Sequence, residues 1–243
     1  MADFVELWVY LSATPLFGLT ATLTVYLVAQ AIYLRVGQAP WANPVLLSII
    51  ILGGGLSVSG VSYQTYFAGA QFIHFLLGPA VVALAWPLWL RRAELLARWR
   101  RLLLASLAGG AVASVCGVVL GMAVGLPDDV VRSLAPKSVT APVAMGVADR
   151  IGGVPALAAV FAVITGLTGA LSGKYLFDLM GLRTDADGYI DRGFALGTVS
   201  HGIGAARALQ VDGGAGAFAG LALGVQVVIA SLLMPLLYGW VFG

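Results

Sequence analysis

The stretch LAPKSVTAPVAMG, residues 134–146, lies in a hydrophobic chain but contains two prolines, two hydroxyl side chains and one lysine. A proline inside a helix removes a backbone donor and clashes with the preceding turn. Pro136 is followed directly by Lys137, and a lysine at the centre of a membrane helix costs at least about 2.5–3.5 kcal/mol. The stretch therefore predicts a broken membrane helix with a functional lysine at the break. The alternatives are a simple proline kink and a shallow lysine that reaches the membrane interface.

The composition around this stretch is that of an integral membrane protein. Of the 243 residues, 60% are hydrophobic and 10% are charged, and the mean hydropathy is +0.97. Soluble domains carry about 25% charged residues. No charged residue lies between Arg35 and Arg91, and the uncharged runs are continuously apolar, which favours helices over a β-barrel. We predict an all-α, polytopic protein that forms a single membrane domain over residues 1–243.

The apolar runs predict about 7–8 membrane segments. The predicted spans are residues 10–35, 43–60, 63–92, 103–125, 131–150, 155–180 and 214–242. A further element near residues 190–209 is too rich in glycine for an ordinary span. Asn43 and Pro44 are expected to open one helix with a cap and a first-turn proline, and Gly181 to close another.

The distribution of charge predicts the orientation. Five of the 13 lysines and arginines fall within residues 91–101, which is typical of a cytoplasmic loop that obeys the positive-inside rule. An anionic-lipid site is the alternative. Segment 103–125 then runs outward, and the loop with Asp128 and Asp129 lies outside. The net charge of +2 gives no reason to expect a nucleic-acid partner. Cys116, the only cysteine, excludes an internal disulfide, and no metal or other cofactor is predicted.

The sequence also suggests an internal repeat. An offset of 57 positions places residues 45–60 over residues 102–117 and brings Pro79 onto Pro136. We predict repeat units of about 43–92 and 102–150, with a second helix break near Pro79. The repeats are parallel if segment 63–92 crosses the membrane and inverted if it is re-entrant. Two broken helices whose ends face each other near the midplane are typical of secondary transporters, since free amides and positive helix ends attract anions.

A second polar cluster lies in FALGTVSHGIGAARAL, residues 194–209. Glycines frame Thr198, Ser200 and His201, so the backbone here is expected to unwind or to pack closely. His201 titrates near neutral pH and is the candidate for proton coupling, with a packing histidine as the alternative. The neighbouring Ser200 and His201 do not match a nucleophile elbow, so we predict no enzyme and no catalytic residue. The candidate substrate-binding residues are Lys137, Ser138, Thr140, Thr198, Ser200, His201, Pro79, Pro136 and Asn43. Asp149 is an alternative partner for the Lys137 ammonium.

Three blocks carry a family resemblance: LLGPAVVALAWPLW, LAPKSVTAPVAMGVADRIGG and GFALGTVSHGIGAARAL. They resemble the signature blocks of the LrgB/CidB family, whose members are described as antiholin-like proteins or murein-hydrolase effectors. The resemblance runs from about Asn43 to the C-terminus. It implies a multi-pass protein of the bacterial inner membrane with a small holin-like partner of the LrgA/CidA type. A plastid relative that fuses the two is a glycolate/glycerate translocator, and bacterial members have been linked to pyruvate uptake.

Two functions are therefore expected from the sequence. The first is a secondary transporter of small organic anions, namely 2-hydroxy and 2-oxo monocarboxylates such as glycolate, glycerate or pyruvate, with His201 as the proton-coupling candidate. The second is an antiholin-like regulator of murein-hydrolase export and autolysis that acts with the holin-like partner. The Gly/Ala-rich segments 103–125 and 214–242 also offer close-packing faces, and from them we predict a homodimer.

Overall fold

A computed structural model describes residues 15–76, 79, 85–90 and 92–242. Within these residues the regular structure is helical, which confirms the predicted all-α class. The helices are α1 (Pro15–Arg35), α2 (Pro44–Ser59), α3 (Tyr63–Phe75), α4 (Ala85–Leu90), α5 (Arg92–Ala123), α6 (Asp128–Leu134), α7 (Ala141–Arg150), α8 (Pro155–Leu179), α9 (Ala186–Val211) and α10 (Gly213–Phe242). A short 3-10 turn, Pro40–Ala42, precedes α2.

Four helices in the described part of the chain are long and apolar enough to cross a membrane. They cover Leu16–Arg35, Leu96–Ala123, Pro155–Leu179 and Gly213–Tyr238, and they match four of the predicted spans. Large apolar side chains are exposed along them, as expected where lipid replaces water; examples are Leu27, Val112 and Leu232. The protein is a multi-pass membrane protein.

The predicted break near Pro79 falls almost wholly outside the described residues. Pro79 itself is helical and exposed, but residues 77, 78 and 80–84 are not described. Segment 63–92 contains α3 and α4 on either side of this gap. Whether it crosses the membrane, and with it the predicted repeat, stays a prediction.

The chain divides into two compact units, Met1–Ala83 and Leu84–Gly243, and the prediction of a single domain stays a prediction. In the first unit, α1 and α3 pack closely at Gly18, where an added Cβ would overlap the Tyr66 carbonyl oxygen. The Thr22 hydroxyl is also hydrogen-bonded to the Tyr66 hydroxyl at 2.7 Å. The predicted cap is confirmed: Asn43 Oδ1 accepts from the N–H groups of Val45 and Leu46, at 2.9 and 3.2 Å.

In the second unit, α5 and α10 run parallel. The Gln226 amide donates to the Ser106 carbonyl oxygen, and Leu102, one turn earlier on α5, packs against the cluster that contains Phe218 and Ala222. Helix α8 runs in the opposite direction, and Gly181, which has φ +68°, follows its C-terminal cap and closes it as predicted. An Arg192–Asp178 ion pair of 2.8 Å joins the end of α8 to the first half of α9.

The predicted break at Pro136 is confirmed, but its two arms do not form one span. Helices α6 and α7 are separated by residues 135–140, and the chain then folds back. The N–H of Val154, after α7, donates to Ser133 Oγ, near the end of α6, at 2.7 Å. Ala135, Val147 and Ile151 share one buried cluster. Residues 128–150 therefore form a re-entrant hairpin, here called the first hairpin, instead of the predicted span 131–150.

Helix α9 contains a second fold-back. His201 has φ +42° and ψ −134°, which interrupts the helix. A Cβ at Gly204 would lie 2.6 Å from the Leu196 carbonyl oxygen, whereas residues eight apart in a continuous helix are separated by about 12 Å. Residues 186–211 therefore form the second hairpin, with its tip at His201. This explains why the glycine-rich element near 190–209 does not behave as an ordinary span.

Candidate functional site

The two hairpins enter the second unit from opposite ends of α5. The first lies along the C-terminal half of α5: a Cβ at Gly121 would lie 2.9 Å from a Leu134 methyl group, and one at Gly117 would lie 2.7 Å from Lys137 Nζ. The second begins at the other end, where Arg98 of α5 forms a 3.3 Å ion pair with Asp187. Their tips consequently point toward each other.

Both tips reach the same stretch of α5. Lys137 Nζ donates to the Ala113 carbonyl oxygen, ten residues, or about 15 Å, before the end of the helix at Ala123. A Cβ at Gly109 would lie 3.0 Å from the Thr198 side-chain methyl group. Gly109 and Ala113 are one turn apart, about 6 Å along the axis. We call the meeting of residues 137–140 and 198–201 the tip junction.

Helix α8 brings the same two tips together from another side. Val139 of the first hairpin belongs to the buried cluster that contains Ala158 and Ala162 of α8. His201 of the second hairpin bonds through Nε2 to the Ala162 carbonyl oxygen at 2.7 Å. Contacts with two separate helices, α5 and α8, thus place the break at Pro136 and the break at His201 at a similar position along those helices.

Lys137 is partly buried, and its ammonium donates to a backbone carbonyl, that of Ala113. None of the ion pairs among the described residues includes Lys137. The alternative partner Asp149 is exposed and forms no ion pair with it. A carbonyl dipole leaves the formal charge of the ammonium uncompensated, so a negatively charged group is still favoured beside it.

Ser138 and Thr140 accompany Lys137 at the tip. Ser138 is 6% exposed, and its hydroxyl is buried without a hydrogen-bond partner. A buried polar group without a partner is costly, and this hydroxyl can donate to an added acceptor. Thr140 caps α7 by position but makes no side-chain cap bond. Pro136, which causes the break, is among the most fully buried side chains.

The polar side chains of the second hairpin face different neighbours. Thr198 packs toward Gly109 and donates its hydroxyl to the Phe194 carbonyl oxygen at 2.9 Å. Ser200 packs toward α8, where an added Cβ at Gly169 would overlap its Oγ. Because a carbonyl oxygen only accepts, Nε2 of neutral His201 carries the hydrogen, so proton uptake would occur at Nδ1.

The remaining two candidates, Asn43 and Pro79, belong to the first unit. Asn43 is 3% exposed in the first unit, and its side chain caps α2. Pro79 is described only as an exposed helical residue. Among the described residues, no group of three or more His, Cys, Asp or Glu side chains is placed to hold a metal ion.

Comparisons with known sequences identify the family of the chain. The sequence profile of the LrgB-like family matches residues 22–240. The chain belongs to the LrgB-like family. It is 33% identical to YxaC of Bacillus subtilis, over 91% of this chain and 94% of that protein. It is 32% identical to the holin-like protein CidB of Staphylococcus epidermidis, over 94% and 96%, and 32% identical to CidB of Staphylococcus aureus, over 82% and 85%. No solved structure matches the chain.

Membership of the LrgB-like family confirms the resemblance. The three sequence blocks that carried the resemblance do not include the residues of α5 that contact the tip junction. Residues on α5 that receive the tips, Gly109, Ala113 and Gly117, recur every four positions and so share one helix face. This spacing of small residues is visible in the sequence. In so apolar and glycine-rich a chain, however, it does not stand out from chance.

Proposed function

We propose that this LrgB-like protein is a secondary transporter of small organic anions in the bacterial inner membrane, with 2-hydroxy and 2-oxo monocarboxylates as substrates. The observation that carries the proposal is the tip junction. Two re-entrant hairpins from opposite ends of α5 reach the same stretch of that helix, within about one helical turn, and Lys137 lies at the tip of the first. Irregular backbone at membrane depth is tolerated only where protein or a watery cavity surrounds it, and opposed broken helices form substrate sites in transporters.

The chemistry of the tips favours an anion. Helix α7 and the returning arm of the second hairpin, residues 202–211, both begin at the junction, so their unpaired N–H groups and positive ends lie there. Lys137 adds a formal positive charge, and Ser138 adds a free hydroxyl. The arms that end at the junction contribute carbonyl acceptors, which suit the hydroxyl of a 2-hydroxy acid or a coupled cation.

Proton coupling through His201 is part of the proposal. A proton bound at Nδ1 would place a second positive charge near Lys137 when the anion is present, and its release would favour dissociation of the anion. Transport of anion and proton together would then follow from mutual electrostatic stabilisation.

An antiholin-like regulator is the second candidate. It is favoured by the relatives named holin-like protein CidB and by one structural observation. Three successive glycines of α2, Gly53–Gly55, have nothing within 4 Å of an added Cβ. Because no part of the same chain packs against these three glycines, a helix of a partner membrane protein could approach α2 closely there.

Uptake into liposomes tests the two candidates. Purified protein should support saturable uptake of labelled glycolate or pyruvate, and an imposed proton gradient should increase it. Empty liposomes and protein with Lys137→Ala serve as controls. Absence of saturable uptake under every gradient, also with the holin-like partner reconstituted, would favour the regulator.

A further inference from the structure

A charged cleft opens at the N-terminal end of α5, away from the tip junction. Its volume is about 480 Å³. The rim carries Arg98 and Arg101 of α5 and Asp187 and Asp191 of α9. This end also carries the basic segment 91–101, which predicts a cytoplasmic location.

The floor of the cleft is apolar and leads toward the tip junction. Ala105, on the α5 side, lies one helical turn before Gly109, which contacts Thr198. Phe194, on the α9 side, lies one turn before Thr198 and accepts the hydrogen bond of its hydroxyl. Phe218 of α10 completes the floor and is fully buried. The cleft therefore lies about one helical turn from two residues at the junction, Gly109 and Thr198.

We propose that this cleft is the cytoplasmic access route of the transporter and a first binding site for the carboxylate of its substrate. This inference rests on the proposed transport function. Arg98 and Arg101 present guanidinium groups that match a carboxylate in charge and shape. Phe194 and Phe218 form the gate that separates this site from the tip junction.

The ion pair between Arg98 and Asp187 at the rim of the cleft is weak enough for another carboxylate to replace Asp187. The pair is a single 3.3 Å contact, and its side chains are 42% and 60% exposed. Exposed pairs of this kind contribute little to stability. A substrate carboxylate can therefore replace Asp187 on Arg98 at small cost. Release of Asp187 also frees the start of the second hairpin, which carries Phe194, from α5.

Cysteine labelling tests the route without requiring transport. In a Cys116→Ser background, Ala105→Cys places a thiol in the cleft. Leu104→Cys is the matched control, because Leu104 is adjacent and 66% exposed but does not line the cleft. A charged, membrane-impermeant thiol reagent added from the cytoplasmic side should label Ala105→Cys at least about tenfold faster, since hydrocarbon excludes charge.

Protection by pyruvate tests the anion site. Excess pyruvate should slow the labelling of Ala105→Cys, and Arg98→Gln should remove this protection. Arg183→Gln should keep it, since Arg183 pairs with Asp185 outside the cleft. Absence of labelling, equal labelling of both thiols, or protection that survives Arg98→Gln would overturn the inference even if liposome uptake is normal. Protected labelling without uptake would support a carboxylate-binding site in the cleft but would contradict both the transport function and the access route.

Discussion

At the scale of single residues, Lys137 is the strongest test of the anion site. Lys137→Ala should weaken substrate affinity in uptake assays about tenfold to a hundredfold, because a buried charge-assisted hydrogen bond contributes roughly 1.5–3 kcal/mol. Lys137→Arg should also be impaired, since the ammonium packs where only a glycine, Gly117, leaves room, and a planar guanidinium is larger. Lys174→Ala is the control: Lys174 is exposed and paired with Asp178. Normal affinity in Lys137→Ala would contradict the anion site.

His201 combines a side-chain role with a backbone role, and two substitutions separate them. Both His201→Ala and His201→Gly remove the imidazole and its bond to Ala162, so both should flatten the pH dependence of uptake if this ring carries the coupled proton. Only glycine adopts the φ of +42° without strain. The glycine variant should therefore exceed the alanine variant in stability by about 1–3 kcal/mol, measured by thermal unfolding in detergent. Equal stability would show that the break does not depend on this backbone conformation.

At the scale of elements, the helix breaks could be predicted from the sequence, but the folding-back could not. Pro136 marks its break by removing a donor, and the glycines around His201 mark the other. The return of each arm depends on distant partners: Ser133 with Val154 in the first hairpin and Gly204 with Leu196 in the second. No local pattern encodes such pairs. The meeting of the Pro136 tip with the His201 tip depends in the same way on distant contacts, which both tips make with α5 and α8.

The contact between the first hairpin and α5 gives an element-scale prediction. Gly117→Ala would place a Cβ 2.7 Å from Lys137 Nζ, so the ammonium must move away from Ala113. The lysine end is flexible, so the thermal stability should change little while substrate affinity falls about tenfold. Gly146→Ala on α7 is the matched control, because nothing lies within 4 Å of its Cβ. Unchanged uptake by Gly117→Ala would show that the position of the ammonium is not critical.

At the scale of the whole molecule, the orientation of the protein in the membrane can be tested, because the two hairpins enter from opposite sides. If residues 91–101 are cytoplasmic, α5 runs outward and the first hairpin dips in from outside. Asp128→Cys in the Cys116→Ser background should then react with an impermeant thiol reagent from the outside only. Arg183 follows the C-terminal end of α8, at the opposite side of the membrane from Asp128. Arg183→Cys should therefore react only from the cytoplasmic side. The opposite pattern would reverse the topology and place the charged cleft outside.

The homodimer is predicted from the Gly/Ala-rich segments 103–125 and 214–242, and the second of these keeps an open glycine, Gly224 of α10. The α5 glycines are used within the chain: Gly109, Gly110, Gly117 and Gly121 meet Thr198, Gln226, Lys137 and Leu134. The open glycines in the described first unit include Gly53–Gly55 of α2, so helix packing between protomers is expected there. Gly54→Leu should convert a dimeric mass in mild detergent and in lipid nanodiscs to a monomeric one. Because its Cβ meets nothing, thermal stability of the protomer should be retained. If the wild-type protein has a monomeric mass in both environments, the dimer prediction is wrong. If the Gly54→Leu variant remains dimeric, the dimer interface does not include this part of α2.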